Sequence, residues 1–250
     1  MDADEIYLCK RSSEESRVLG CCGGWEKISI IIPVLNEAKN LDSVLASTQL
    51  GENVEAIVVD GGSQDDTVAI ARACGVKVLS APASRGGQMN QGAAAATGQI
   101  LLFLHADTRL PVGFDKLVRE TLAQPGAIAG AFALRIDASL WSLRLIEIGV
   151  NWRSRWLQMP YGDQAIFLTA GVFHQMGGFP EFPMMEDFEM MRRLKRCGRI
   201  AIIEEPVLTS GRRWLQKGVC QTTLMNQLAI VSYLIGISPE QIVRWYRPHP

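Results

Sequence analysis

The chain has no CxxC pair and no cysteine/histidine cluster at zinc spacing, although six cysteines (Cys9, Cys21, Cys22, Cys74, Cys197 and Cys220) are scattered along its 250 residues. A zinc ribbon or a disulfide-framed scaffold is excluded, and the thiols are expected to be reduced and mostly buried. An excess of one charge is missing too: 25 basic residues face 26 acidic ones, for a net charge of −1. A chain that grips nucleic acid by charge alone is thereby excluded, and no nucleic-acid partner is expected. No secretory signal is visible, because the N-terminus is acidic and lacks an apolar core segment, so a cytoplasmic location is expected. The most apolar late stretch, 219–237, is interrupted by Gln221, Thr222, Thr223, Asn226 and Gln227. It reads as an amphipathic helix suited to peripheral contact with the inner face of a membrane, not as a spanning one. Two nucleotide fingerprints are absent as well. The first strand is followed by Pro33-Val34-Leu35-Asn36-Glu37 instead of a glycine-rich turn, and no GxxxxGK[ST] occurs. Dinucleotide-dependent oxidoreductases and P-loop enzymes are excluded.

What is present is an ordinary globular composition, 48% hydrophobic and 20% charged. No repeat or linker interrupts it. The expectation is a loose polar leader over 1–26, one domain over 27–215, and a C-terminal helical extension over 216–250 packed on the same domain. Order begins at Ile28-Ser29-Ile30-Ile31-Ile32-Pro33-Val34, a β-branched apolar run of the kind a buried parallel strand requires. Leu41, Val44 and Leu45 then mark a helix face. Val54–Asp60 is the next strand, and Ser63 with Asp66 predicts a capping box opening a helix through Ala73. A short strand over Val76–Ser80, a helix over Gln88–Thr97 and a strand over Ile100–Leu104 follow. This alternation predicts an α/β fold with a mainly parallel sheet and right-handed crossovers. In the second half, strands are expected over Ala127–Ile136, Gln164–Thr169 and Ile200–Ile203. Helices are expected over Ser139–Leu157, Glu186–Arg196 and Leu224–Ile235. Trp141, Trp152 and Trp156 on the first of these helices are expected to pack.

Ligands of such sheets bind outside the carboxyl ends of the strands. That rim carries Asn36-Glu37, Asp60-Gly61-Gly62 and His105-Ala106-Asp107. Each acid by itself also suits a helix cap or a solvated edge. Together they would repel a diphosphate unless a divalent cation intervened, and Mg²⁺ and Mn²⁺ take one or two carboxylates plus phosphate oxygens. Arg85, ahead of Gly86-Gly87, offers a guanidinium suited to phosphate beside a backbone that allows close approach.

Ile30-Ile31-Ile32-Pro33-Val34-Leu35-Asn36-Glu37, Val58-Val59-Asp60-Gly61-Gly62-Ser63-Gln64-Asp65-Asp66-Thr67, Phe103-Leu104-His105-Ala106-Asp107-Thr108 and Glu186-Asp187 together resemble the family 2 glycosyltransferases with the GT-A fold. The likeness spans about Ile28 to Trp214. Arg85-Gly86-Gly87-Gln88-Met89-Asn90, His105-Ala106-Asp107-Thr108 and Arg212-Arg213-Trp214 look closer to a bacterial subgroup associated with radical-SAM and selenium-domain neighbours and with arsenosugar biosynthesis. The resemblance implies that Pro33 and Glu37, with Asn36 and Gly62 beside them, line the nucleotide pocket and that Asp60 faces the base. It implies that Asp107 replaces the last carboxylate of the family's DxD motif and binds Mn²⁺ or Mg²⁺. His105 stands where the first Asp would be, as a ligand that shifts preference toward Mn²⁺ or as a contact to ribose or phosphate. Asp187, beside Glu186, takes the place of the general base, and Arg213 and Trp214 belong to a basic-aromatic loop over the diphosphate or sugar.

The implied activity is inverting transfer of a sugar from a nucleotide-diphosphate donor to a small-molecule or lipid-linked acceptor, by a monomer or a homodimer. A sugar-phosphate nucleotidyltransferase would carry a Lys/Arg-bearing glycine-rich loop after the first strand, which is absent. A non-catalytic nucleotide-sugar binding module is suggested by the replaced Asp.

Overall fold

The computed structural model describes residues 26–246, so the expected leader lies, except for Glu26, outside the described residues. Eight strands form one mixed sheet: β1 Ile28–Val34, β2 Val54–Asp60, β3 Lys77–Ser80, β4 Ile100–Phe103, β5 Thr108–Arg109, β6 Ala127–Asp137, β7 Ile166–Thr169 and β8 Arg199–Ser210. Their order is β3-β2-β1-β4-β7-β6-β8-β5. The first four pair in parallel, with Ile28 opposite both Val54 and Ile100. β7 runs antiparallel between β4 and β6, and β5 runs antiparallel to β8.

Ten helices complete the described chain: α1 Ala38–Thr48, α2 Thr67–Ala73, α3 Arg85–Ala94, α4 Phe114–Ala123, α5 Trp141–Leu157, α6 Ala170–Gln175, α7 Glu186–Cys197, α8 Arg212–Lys217, α9 Val219–Leu234 and α10 Pro239–Tyr246. The sheet divides the core. Ile28, Ile30 and Ile32 of β1 face a layer containing Leu41, Leu45, Phe114, Phe132 and Phe167, under α1, α4 and α5. Ile31 faces the opposite layer, with Met89, Phe173, Met190 and Met191 of α3, α6 and α7. This is the period-2 alternation of a strand buried on both faces. A third cluster joins Met185 and Phe188 to Ala229, Ile242 and Tyr246 of α9 and α10.

Several boundaries differ from expectation for local reasons. No capping box forms at Ser63: its hydroxyl accepts from the Asn36 N–H at 2.9 Å, and α2 opens at Thr67. The helix expected from Gln88 opens at Arg85, because the Ser84 hydroxyl caps it by accepting from the Gly87 N–H. β8 runs twelve residues instead of four. A register shift after Phe132 lets β8 pass through Glu204 and Glu205 and resume pairing at Pro206, a bulge that a strand proline tolerates. α4, α6 and β5 have no counterpart among the expected elements, α10 falls within the expected helical extension, and Arg212-Arg213-Trp214 opens helix α8 instead of lying in a loop. Trp141, Trp152 and Trp156 do not pack; they are 74%, 57% and 74% exposed. Of the described cysteines Cys197 is buried, Cys74 half-buried and Cys220 exposed. Among the described residues, no helix is long and apolar enough to cross a membrane.

Candidate active site

A cleft of about 1010 Å³ opens at the carboxyl ends of β1 and β4. It is large for a lone monosaccharide and suits an extended ligand. Pro33, Glu37, Arg85, His105, Asp107, Glu186, Asp187, Arg213 and Trp214 all line it, from segments far apart in the chain. Asn36, Asp60 and Gly62 do not line it. Asp60 ends β2 opposite Val34 and is buried. Its carboxylate accepts from the backbone N–H groups of Gly62 and Ser63, each at 3.1 Å, and so holds the turn in which Gly62 takes φ +95°. Asn36, itself left-handed at φ 55°, accepts from the Gln64 N–H at 2.8 Å and ties the same turn to the end of β1. Gln88 reaches up from α3 and donates to the carbonyls of Val34 and Val59 at 3.0 and 2.7 Å, fixing the two strand ends that form the rim.

Glu37 is clamped from two sides. One carboxylate oxygen accepts from Arg212 and the other from Asn40, both at 2.7 Å. The contact spans the cleft edge from the β1 loop to α8, and the Glu37 hydrogen bond raises the Arg212 guanidinium above its ordinary value. Arg85, at the start of α3, reaches Glu186 at 3.4 Å. The chain can pass there because Gly86 lacks a side chain: a Cβ would lie 2.6 Å from the Pro180 carbonyl oxygen.

His105 and Asp107 follow β4 in a tight turn closed by the Thr108 N–H donating to the His105 carbonyl at 3.1 Å. Burial, then the nearby Arg85 charge, holds the His105 imidazole down at about 3, so it is neutral at physiological pH. Burial and then the Glu37 charge push the Asp107 carboxyl up, opposed by Arg212 and Arg85. Asp187 sits in the first turn of α7, just after Met185 in the left-handed region at φ 71°. Its two oxygens accept from the backbone N–H groups of Gly162 and Phe188, each at 2.7 Å.

Tyr161 and Asp163 are among the cleft residues that sequence reasoning missed. They flank Gly162: Tyr161 caps, and Asp163 lies within, the 3-10 turn Gly162–Gln164 that precedes β7. Arg153 lies 3.5 Å over the Tyr161 ring. Burial pushes the Asp163 carboxyl up to about 6, eased by Arg153 and reinforced by the charges of Asp187 and Asp107. The signal for Tyr161 and Asp163 is Tyr161-Gly162-Asp163-Gln164 itself, which precedes a strand, whereas the ligand rim of a parallel sheet follows its strands. The cleft lining thus holds both signs: Asp107, Asp163 and Asp187 with Glu37, Glu181 and Glu186, and Arg85, Arg212, Arg213 and Lys217. Among the described residues, no group of three His, Cys, Asp or Glu side chains forms a cation cage.

A parallel β3-β2-β1-β4 half, an antiparallel β7 and a cleft at the strand ends define the GT-A glycosyltransferase fold. A mannosyltransferase from Pyrobaculum calidifontis, solved with GDP-Man and Mn²⁺, superposes with a TM-score of 0.57 at 20% identity, over 83% of this chain and 64% of that one. This chain thus spans just under two thirds of that protein. Glucosyl-3-phosphoglycerate synthase from Mycobacterium tuberculosis, solved with Mn²⁺, UDP and glucosyl-3-phosphoglycerate, superposes with a TM-score of 0.54 at 18% identity, over 93% and 84% of the two chains. In sequence, an uncharacterized glycosyltransferase of M. tuberculosis strain H37Rv is 30% identical over 169 residues, covering 62% of this chain and 76% of that one. Residues 29–180 match the pattern of glycosyl transferase family 2. The chain belongs to that family and is, by that membership, a glycosyltransferase.

Proposed function

We propose that the protein is a divalent-cation-dependent, inverting glycosyltransferase that moves a sugar from a nucleotide-diphosphate donor to an acceptor hydroxyl. The observation that carries this reading is the convergence of Asp107, Arg85 and Asp187 on one cleft. The transferase domain is assigned to 27–215 and the helical extension to 216–250. The nucleoside end of the donor is assigned to Pro33 and Glu37, flanked by Asn36, Asp60 and Gly62, with Arg213 and Trp214 closing over the diphosphate. The motifs around Arg85, His105 and Arg212 support placement in the radical-SAM-associated, arsenosugar-type bacterial subgroup.

The residues fit a hard cation. Asp107 is a carboxylate made costly by burial and by Glu37, and a carboxylate oxygen suits an ion whose shell phosphate oxygens complete. Asp107 would hold Mn²⁺ or Mg²⁺, with the neutral imidazole of His105 as second ligand or phosphate contact. When bound, the cation would neutralise charge on the leaving diphosphate. The Mn²⁺ complexes of the Pyrobaculum mannosyltransferase and the M. tuberculosis synthase support that choice. Arg85, anchored on Glu186, orients phosphate. Asp187 takes the proton of the acceptor hydroxyl as its oxygen bonds to the anomeric carbon and the carbon–phosphate-oxygen bond breaks on the opposite face.

The acceptor is assigned to the small-molecule or lipid-linked class. Exposed apolar side chains on α5 and α9 support peripheral membrane contact, with pairing of two copies as the competing use of those faces. Thermal shift with UDP-, GDP-, dTDP- and ADP-sugars, with and without Mn²⁺, tests the reading. One donor is expected to raise Tm, and more so with Mn²⁺, by roughly the equivalent of 2.7 kcal/mol at a hundredfold excess over Kd. No shift with any donor would overturn it, and binding without transfer or hydrolysis would favour a non-catalytic module.

A further inference from the structure

Asp163 is a carboxylate of the cleft to which the chemistry above gives no task. Its Oδ1 is shut off from bulk solvent and has no hydrogen-bond partner, although the side chain lines the open cleft. A buried polar atom left unpaired is a cost of roughly 1–3 kcal/mol that a fold seldom carries without use. The turn that holds it is rigidly supported. Gln164 is fully buried, donates to the Phe132 carbonyl at 2.9 Å and accepts from the Ser154 hydroxyl at 2.7 Å. The preceding residue is wedged between the two functional ends of the cleft. A Cβ on Gly162 would lie 2.7 Å from His105 Nε2 and 3.1 Å from Asp187 Oδ2. The charges that act on Asp163 include both Asp187 and Asp107. In a one-step displacement the diphosphate leaves on the Asp107 side and the acceptor arrives on the Asp187 side. Asp163, next in the chain to Gly162 and within the reach of both charges, lies beside the place the transferred sugar would occupy.

We propose that Asp163 binds the hydroxyl groups of the sugar being transferred and thereby sets which sugar the enzyme accepts. The inference rests on the glycosyl-transfer reading. A carboxylate accepts from hydroxyl donors and repels phosphate, so the sugar, and not the diphosphate, is the part of the donor it recognises.

The test is calorimetric binding, with Mn²⁺ present, of a nucleoside diphosphate and of its sugar conjugate to the full chain and to Asp163→Asn. The variant is expected to bind the bare nucleotide as the wild type does. It should bind the sugar conjugate about ten- to a hundredfold more weakly, the usual size of a lost hydrogen bond to a charged group. Deoxy-sugar donors lacking the recognised hydroxyl should bind wild type and variant alike. Because Oδ1 has no partner, Asp163→Asn should melt no lower than the wild type; a lower Tm would show a structural carboxylate and overturn the proposal. Equal weakening of nucleotide and conjugate would assign Asp163 to the cation and overturn it too. Asp163→Glu, which keeps the charge but moves it, should change the ranking of donor sugars, and an unchanged ranking counts against the proposal. Failure of the wild type to bind any nucleotide-sugar would sink the glycosyl-transfer reading itself, a distinct result.

Discussion

At the scale of single residues, two aspartates lining one cleft are assigned different tasks in the proposed reaction, Asp107 to binding and Asp187 to chemistry. Asp187 is aimed by the backbone N–H groups of Gly162 and Phe188, so its orientation does not depend on a bound ligand. Asp187→Asn is expected to lower turnover about 100- to 10,000-fold, the usual contribution of a positioned base, with donor binding retained. Asp107→Ala is expected to do the reverse in binding, abolishing the extra Tm shift that Mn²⁺ adds to the donor. Single-turnover kinetics and thermal shift check the pair, and near-normal rates in either variant would remove its assigned role. Both residues were legible in the sequence because each follows or opens an element at a recognisable motif. Asp163 was not, since its importance lies in an unpaired oxygen and in neighbours 24 and 56 positions away, which are Asp187 and Asp107 in the sequence.

At the scale of elements, close contact between α3 and the sheet decides what a glycine is worth. Replacing a helix-interior glycine by alanine ordinarily stabilises by about 1 kcal/mol. At Gly92 the added Cβ would lie 2.4 Å from Ile31 Cγ2 and 3.1 Å from Val59 Cγ2, both on fully buried side chains. Overpacking of that kind costs about 1–3 kcal/mol, so Gly92→Ala is expected to lower the urea midpoint instead of raising it.

The start of the sheet is tied by Glu55, which accepts from the Ser29 hydroxyl at 2.5 Å, the Thr97 N–H at 2.7 Å and Lys27 at 3.0 Å. Burial raises its pKa, but these donors outweigh burial and hold the carboxyl down at about 2. The folded value is below the unfolded one, so the linked stability is complete above about pH 4.5 and is lost as pH falls toward 2. Glu55→Gln should be less stable than the wild type at pH 7, and the gap should narrow on acidification through that window in urea titrations. A gap that stays constant with pH would show that the charge contributes nothing.

At the scale of the whole molecule, the apolar surface is unevenly placed. Leu224, Leu228 and Val231 of α9, and Ile235 just past its end, follow helical spacing and are 60%, 45%, 53% and 72% exposed. No charged residue occurs from 219 to 237, whereas Arg212, Arg213 and Lys217 stand just before that stretch. An apolar face with adjacent cations suits an anionic bilayer surface. The protein is expected to co-sediment with vesicles containing anionic lipid, less at high salt, and Leu228→Glu with Ile235→Glu should abolish this. Salt-independent self-association without vesicle binding would assign the faces to a second copy.

The sequence by itself determined the parallel half of the sheet, its crossovers and the rim on which Glu37, His105 and Asp107 stand. A strand buried on both faces must be a continuous apolar run, and that requirement is written locally in β1, β2 and β4. The length of β8, the exposure of Trp141, Trp152 and Trp156 and the withdrawal of Asp60 into its own turn were decided only by tertiary structure. Each depends on which distant segment packs alongside: β6 extends β8 by pairing along it, nothing in the described fold covers the tryptophan face of α5, and the Gly62 and Ser63 amides claim the Asp60 carboxylate before any ligand arrives.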